Sequence, residues 1–453
     1  MDFDITALRR EARGSLRLAV PVVFSYLGVF LMGTVDTMML GRVTPTAMAA
    51  GALGSNVFFT LTILPMGIVG CVEPLVAQAF GADDRKAIAR HLQQGLVLAV
   101  TLAIPVSLMM LDLEQVLLWT GQPSELAAGG ATYLLWVIPS VLATLLYMAL
   151  RGFLQSIHVV QPLVWTVVAA NLINILANWV LVFGNWGFPA LGLVGSAVAT
   201  SISRWLMLLL LVMAVMPELR RYLATRYPDL WRLRAYRVPL GIGIPMGIHR
   251  SMEMWLFAAV ALAMGTFGAI ELAGHQVSLQ LSGIAFMVPM AVGAAATTRV
   301  GNAIGRQDMT GARYAAVVNL VFGVGFMTMT ALLFFSVPRF LSRFFTPDPE
   351  VVAMAAMLLQ VAAVFQVFDG LQVVAGGVLR GAADTKVPAL IAFLGYWGLG
   401  LPLGLILAFV LDWGPRGLWW GLTLGLASVA LLLLERSIRL FRGVIVAVEA
   451  SPG

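Results

Sequence analysis

Long apolar runs separated by short polar connections occupy almost the whole chain. A helix needs roughly 20 apolar residues to cross the hydrocarbon core of a bilayer. Twelve runs of that kind lie near residues 17–40, 47–72, 91–112, 130–154, 161–183, 190–216, 238–264, 276–298, 313–338, 352–376, 387–411 and 417–440. The pattern predicts an all-α integral membrane protein of twelve transmembrane helices. Almost no length is left over for a soluble domain.

Composition supports the same reading. Hydrophobic residues make up 60% of the chain, charged residues 11%, and the mean hydropathy is +0.92. A soluble domain carries about 25% charged residues, so a water-facing surface could not be covered here. The net charge of +6 would suggest nucleic acid in a soluble chain. Its distribution points to the membrane instead, and no nucleic-acid partner is expected. With the N-terminus inside, the even-numbered connections and the termini hold 22 of the 28 basic residues. The opposite side holds Arg42, Arg339, Arg343 and Arg416, while Arg204 and Arg250 fall within spans. This bias predicts both termini on the cytoplasmic side of the cell (inner) membrane. The arginines at 9, 10, 13 and 17 before the first run imitate a signal peptide, but that run is spanning length and a counterpart recurs mid-chain.

The chain repeats itself. An offset of 224 residues places Pro21 on Pro245, Pro65 on Pro289, Gly81 on Gly305 and Asp84 on Asp308. Arg151-Gly152 pairs with Arg380-Gly381 and Gly192 with Gly417 at offsets of 225 to 229. The predicted organisation is a six-helix bundle over 1–216, a cytoplasmic connection over 217–237 and a second bundle over 238–453. Six spans per copy is an even number, so both copies enter from one side. A pseudo-two-fold axis along the membrane normal then relates them, and rocking one against the other can carry a cavity from side to side.

Three carboxylates stand inside predicted spans: Asp36, Glu253 and Asp369. An acid at a helix centre costs about 2.5–3.5 kcal/mol on insertion scales, so each should face protein or a water-filled cavity, where it can meet a cation or a proton. The alternative is an acid at a span end, for Asp36, or one paired to a neighbouring base, for Glu253 with Arg250 three residues away. Span five carries Asn171, Asn174 and Asn178 along one helix stripe. Such amides either coordinate a cation or join helices. Pro21 and Pro245, at equivalent positions, each remove a backbone hydrogen bond and are candidate hinges or packing features. Some of the 23 methionines and the phenylalanines should line a cavity for varied apolar ligands. One cysteine, Cys71, and four scattered histidines offer no disulfide and no metal-ligand spacing. No Walker A pattern and no catalytic motif is visible, so neither an enzyme nor direct drive by ATP is expected, and no cofactor is called for beyond a coupling ion.

VDTMMLGR in span one, NLINILAN in span five, GLVGSAVAT opening span six, SMEMW in span seven and FDGLQVVAGGVLRGAADTKVP from span ten into the following loop together resemble the multidrug and toxic compound extrusion (MATE) family, NorM type. The resemblance covers the whole chain. It implies export of small cationic, lipophilic compounds by alternating access, in exchange for Na+ or H+, by a monomer in the bilayer. It also implies a cation site at Glu253 and Asp369, where Na+ is the candidate metal ion. A second, amide-rich site would comprise Asp36, Asn174, Asn178 and Thr200. Gln276 and Asp348 match positions of substrate contact, with Asp36. Phe365 stands where relatives can carry Tyr, four residues before Asp369, and offers a cation-π face without a hydroxyl. The rival is a lipid-linked saccharide flippase of the same superfamily. That reading would need basic residues in the cavity, and Arg204 and Arg250 are its candidates.

Overall fold

The computed structural model describes residues 4–225, 227–443 and 447, and every regular element among them is helical. Arg226 of the 217–237 connection lies outside the described residues. The first half holds α1 (Ile5–Gly41), α2 (Pro45–Val69), α3 (Val72–Gly81), α4 (Arg85–Met109) and the short α5 (Glu114–Trp119). It continues through α6 (Ser124–Val137), α7 (Pro139–Ser156), α8 (Gln161–Leu181), α9 (Gly192–Ala214) and α10 (Met216–Leu223). The second half holds α11 (Arg237–Gly265), α12 (Ala269–Gly305), α13 (Met309–Ser336), the short α14 (Pro338–Arg343) and α15 (Pro349–Gly381). It closes with α16 (Lys386–Phe393), α17 (Leu401–Leu405) and α18 (Pro415–Leu440).

All twelve predicted spans are helical. Ten stretches are long and apolar enough to cross a membrane, and α6 with α7, bent by 56° at a break, makes an eleventh. The twelfth is α11. Its 29 residues give about 43 Å, enough to cross, but Arg250 and Glu253 lower its apolarity. Several helices start earlier than the apolar run because a cap fixes the start. Thr44 accepts from the Ala47 amide at 3.0 Å with Pro45 following, and Asp308 accepts from Gly311 at 2.7 Å.

The repeat is visible in the backbone. Asp83 and Gln307, 224 residues apart, both sit at positive φ, 54° and 60°. Around them Asp84 N donates to Ala79 O at 3.0 Å and Asp308 N to Ala303 O at 2.9 Å. The two turns are one structure used twice.

Packing divides the chain into two compact units whose boundary differs from a cut at the 217–237 connection. One unit takes residues up to Val23, Ala77–Asp84 and the chain from Ile248 onward; the other takes Phe24–Val76 and Arg85–Gly247. Thus the first half of α1 and the end of α3 pack with the C-terminal helices. The first turns of α11 pack with the N-terminal ones. The contacts explain it. Asn319 Nδ2 donates to Ser15 Oγ at 3.0 Å, and Glu11 pairs with Arg299. In the other unit Gly67 lies so close to Gly247 that neither could carry a Cβ. Both handovers, after Val23 and after Gly247, come two residues past a proline, Pro21 and Pro245. Each helix runs through its proline without a break.

Span eleven, in the unit that holds the C-terminal helices, is irregular. Two π-helical stretches, Leu394–Gly400 and Ile406–Val410, flank α17. Gly400 and Gly404 face Gly425 and Gly421 of α18 with no room for side chains. A π stretch widens the helix and re-aims its side chains. Here it delivers Tyr396 to the interior, fully buried.

Candidate functional site

The buried acids form two centres, one in each unit. In the first, α1 brings Asp36 to α8 and α9. Asn174 Nδ2 donates to Asp36 Oδ1 at 3.1 Å and Asn178 Nδ2 to the same oxygen at 2.7 Å. Thr200 Oγ1 donates to Oδ2 at 2.6 Å. All three donors point at the carboxylate, an arrangement that suits its ionised, acceptor-only form. Asp36 is 6% exposed, so its carboxylate is turned into the protein.

The amide stripe on α8 faces α1 along its whole length. Asn171 Nδ2 donates to Gly28 O at 2.9 Å, two turns before Asp36, and so joins the helices without reaching the acid. Both meanings of the stripe are realised, by different members. Because Asn174 and Asn178 turn their NH2 groups to the carboxylate, their Oδ1 atoms face elsewhere, buried and without a donor. Rotation of the two amides would bring these oxygens to the carboxylate, and together they would form the donor set of a hard cation.

Arg204, on α9, stands close enough to feel the Asp36 charge without an ion pair between them. Its Nη1 donates to Ser140 Oγ at 2.8 Å and its guanidinium lies 4.2 Å over the Phe58 ring. Tyr133 completes the wall, paired with Ser55 at 3.2 Å. From sequence Arg204 is a candidate only for the flippase reading and Tyr133 has no role, since nothing in the chain order ties either to Asp36.

The second centre is built differently. Glu253 of α11 and Asp369 of α15 lie within electrostatic reach of each other. Arg250, Arg380 and Gln372 are the other groups that Glu253 feels. Among the described residues no ion pair joins Arg250 to Glu253, so helical proximity has not neutralised the acid. Asp369 is 5% exposed, and no described side chain donates a hydrogen bond to it. Two residues that sequence reasoning missed close this centre: Gln372 Nε2 donates to Tyr396 Oη at 2.7 Å and lies 3.4 Å from His249 Nε2. Their signal was hidden because the π stretch that aims Tyr396 has no periodic signature. No group of three or more His, Cys, Asp or Glu that could hold a metal ion occurs among the described residues. Any Na+ here would rely on two carboxylates and neutral oxygens.

The remaining candidates lie apart from both centres. Phe365, 3% exposed, packs edge-on against Phe257 and Trp419, with centroids 6.1 and 6.2 Å away. Its faces belong to the apolar core in this conformation, and no cation-π face is presented to an open cavity. Gln276 is exposed on α12. Asp348 is exposed and caps α15, accepting from Glu350 N at 2.9 Å and Val351 N at 3.4 Å.

The comparison with known proteins decides what these centres belong to. A family model described as MatE matches residues 21–180 and again 245–406. The two matches start 224 residues apart, the offset of the sequence repeat. The chain belongs to the MatE family. It is 39% identical over 438 residues to "Multidrug resistance protein NorM" of Burkholderia vietnamiensis, covering 95% of this chain and 94% of that one. It is 34% identical over 436 residues to the protein of the same name from Photobacterium profundum, covering 94% and 95%. The fold matches the crystal structure of the eukaryotic MATE transporter AtDTX14 with a TM-score of 0.89, 25% identity, and coverage of 95% and 96%. An outward-facing multidrug resistance MATE family transporter gives 0.86 at 16% identity, over 98% and 99%. This MatE chain is therefore a membrane transporter with the twelve-helix fold of its family, not an enzyme, and the flippase reading is not favoured.

Proposed function

We propose that this MatE transporter exports cationic, lipophilic compounds across the cell (inner) membrane, as a monomer with both termini cytoplasmic, in exchange for Na+ or H+. The observation that carries the reading is the pair of buried acidic centres, held in helices where an acid is costly unless something positive visits it. At Glu253 and Asp369 two like charges repel in apolar surroundings, and a proton or a cation between them relieves the repulsion. At Asp36 the two orphaned amide oxygens add neutral ligands. A positively charged cargo competes for the same acids. Coupling follows if ion and cargo each prefer one of the two access states. Pro21 and Pro245 supply flexible points where α1 and α11 pass from one unit to the other. Gln276, exposed on α12, and the α15 cap Asp348 are proposed cargo contacts along the route.

Of the two basic residues that a flippase would turn to its cargo, Arg204 is engaged by Ser140 and Phe58, and Arg250 stands within electrostatic reach of Glu253. The export reading is tested with proteoliposomes preloaded with ethidium under separately imposed Na+ and pH gradients. One gradient should drive efflux of the unchanged dye. Efflux indifferent to both gradients would end the antiport proposal.

A further inference from the structure

Four arginines near the N-terminus take no part in either acidic centre. Arg9, Arg13 and Arg17 follow one another at four-residue spacing on α1, so they form a stripe, with Arg10 beside it. All four are exposed, and none makes an ion pair among the described residues. Together with Arg299 of α12, Thr6 and Gly14 they line a cavity of about 440 Å³. Gly14 makes the cavity possible: a Cβ there would come 3.1 Å from the Arg299 guanidinium carbon, so the missing side chain lets Arg299 lie across α1. Two acids temper the charge. Glu11 pairs with Arg299, and Asp4 lies within electrostatic reach of Arg10. Among the described residues, five guanidinium groups against two carboxylates leave the cavity positive.

One turn further along α1 the surface changes character. Leu16 and Val20, at 46% and 48% exposure, continue from Arg13 and Arg17 at three-residue spacing. A forked donor cluster followed directly by exposed apolar side chains fits an amphiphile with an anionic head, not a free ion. The planar guanidinium matches phosphate oxygens two at a time.

We infer that this cavity is a binding site for the phosphate of an anionic phospholipid, with the acyl chains lying along Leu16 and Val20. Its place at the cytoplasmic headgroups rests on the orientation proposed above. The binding itself does not depend on the export reading. A bound headgroup ties α1 to α12 on one side of Pro21, within one compact unit.

The test is native mass spectrometry of the full chain in detergent, titrated with phosphatidylglycerol or phosphatidylcholine. One phosphatidylglycerol should be retained and phosphatidylcholine should not. R9A/R13A should weaken retention about 30-fold, since each arginine near an anionic surface is worth about one factor of five. R220A/R221A removes the same charge from exposed positions on α10 outside the cavity and should change retention less than about twofold. Neither double variant removes an ion pair of the fold. Equal losses in the two double variants would reduce the site to general attraction for anionic lipid and overturn it. So would equal retention of phosphatidylcholine, or displacement of the lipid by inorganic phosphate at equal concentration.

Discussion

Asp36 and Asp369 are both buried acids on long helices of one repeated chain, yet one is cradled and the other is bare. Asp36 has three side-chain donors on its two oxygens, from helices 138 to 164 residues away in sequence. Asp369 has a second acid for a neighbour and no donor among the described residues. Duplication supplied the frame twice, as the turns at Asp83 and Gln307 show, but the side chains have since diverged. A cradled carboxylate is part of the fold's own hydrogen bonding. An acid with no donor and a second acid beside it, as Asp369 has, is an electrostatic demand that a visiting cation or proton can meet.

The sharpest way to break that contrast is to delete each acid and watch the fold. Asp36→Ala strands one N–H each of Asn174 and Asn178, at about 1–3 kcal/mol apiece, while Thr200 keeps its bond to Ser196 O at 3.0 Å, so thermal unfolding in detergent should move down by several degrees. Asp369→Ala strands nothing and should cost under about 1 kcal/mol. Equal shifts would erase the difference between the centres.

Next in size are the cradle amides. Asn178→Ala removes the 2.7 Å bond and Asn174→Ala the 3.1 Å bond. Each substitution also removes an orphaned Oδ1 proposed above as a cation ligand, a contact to a charged group worth about 1.5–3 kcal/mol, so coupling-ion affinity should fall roughly 10- to 100-fold. Dye-efflux rates as a function of ion concentration would read this. Matching substitutions at Asn171 should leave ion dependence alone and affect only stability.

A smaller effect is expected from Phe365→Tyr. The new hydroxyl enters a ring cluster with no partner, at about 1–3 kcal/mol, and should lower the unfolding temperature without changing which ion drives transport. A switched ion preference would show that the ring reaches the bare centre after all. Smallest is Asp348. Asp348→Ala should cost about 1 kcal/mol through loss of the α15 cap, whereas Asp348→Asn keeps the cap and should leave stability unchanged. If efflux falls in Asp348→Asn, the charge itself touches the cargo.

How much of this was legible in the residues varies by element. The twelve spans follow from apolar run length, which is why even the broken α6–α7 pair and the charged α11 were found. The Asp36 centre was legible because its amides share a stripe on one helix and match a family pattern. The Gln372–Tyr396–His249 group was not, because a π-helical turn breaks the spacing on which side-chain facing is inferred. The transfer of α1's first half to the other unit was hidden for another reason. The alternation of charged and apolar positions there does not say which neighbour the buried face packs against; that is decided by single contacts such as Ser15 with Asn319.

The central claim is that the uncradled acid is where an ion's free energy is turned into export. It is tested most directly by gradient-driven ethidium efflux from proteoliposomes carrying Asp369→Asn beside the unmodified chain. Efflux should stop in the variant while its fold persists. Efflux at the unmodified rate would contradict the claim.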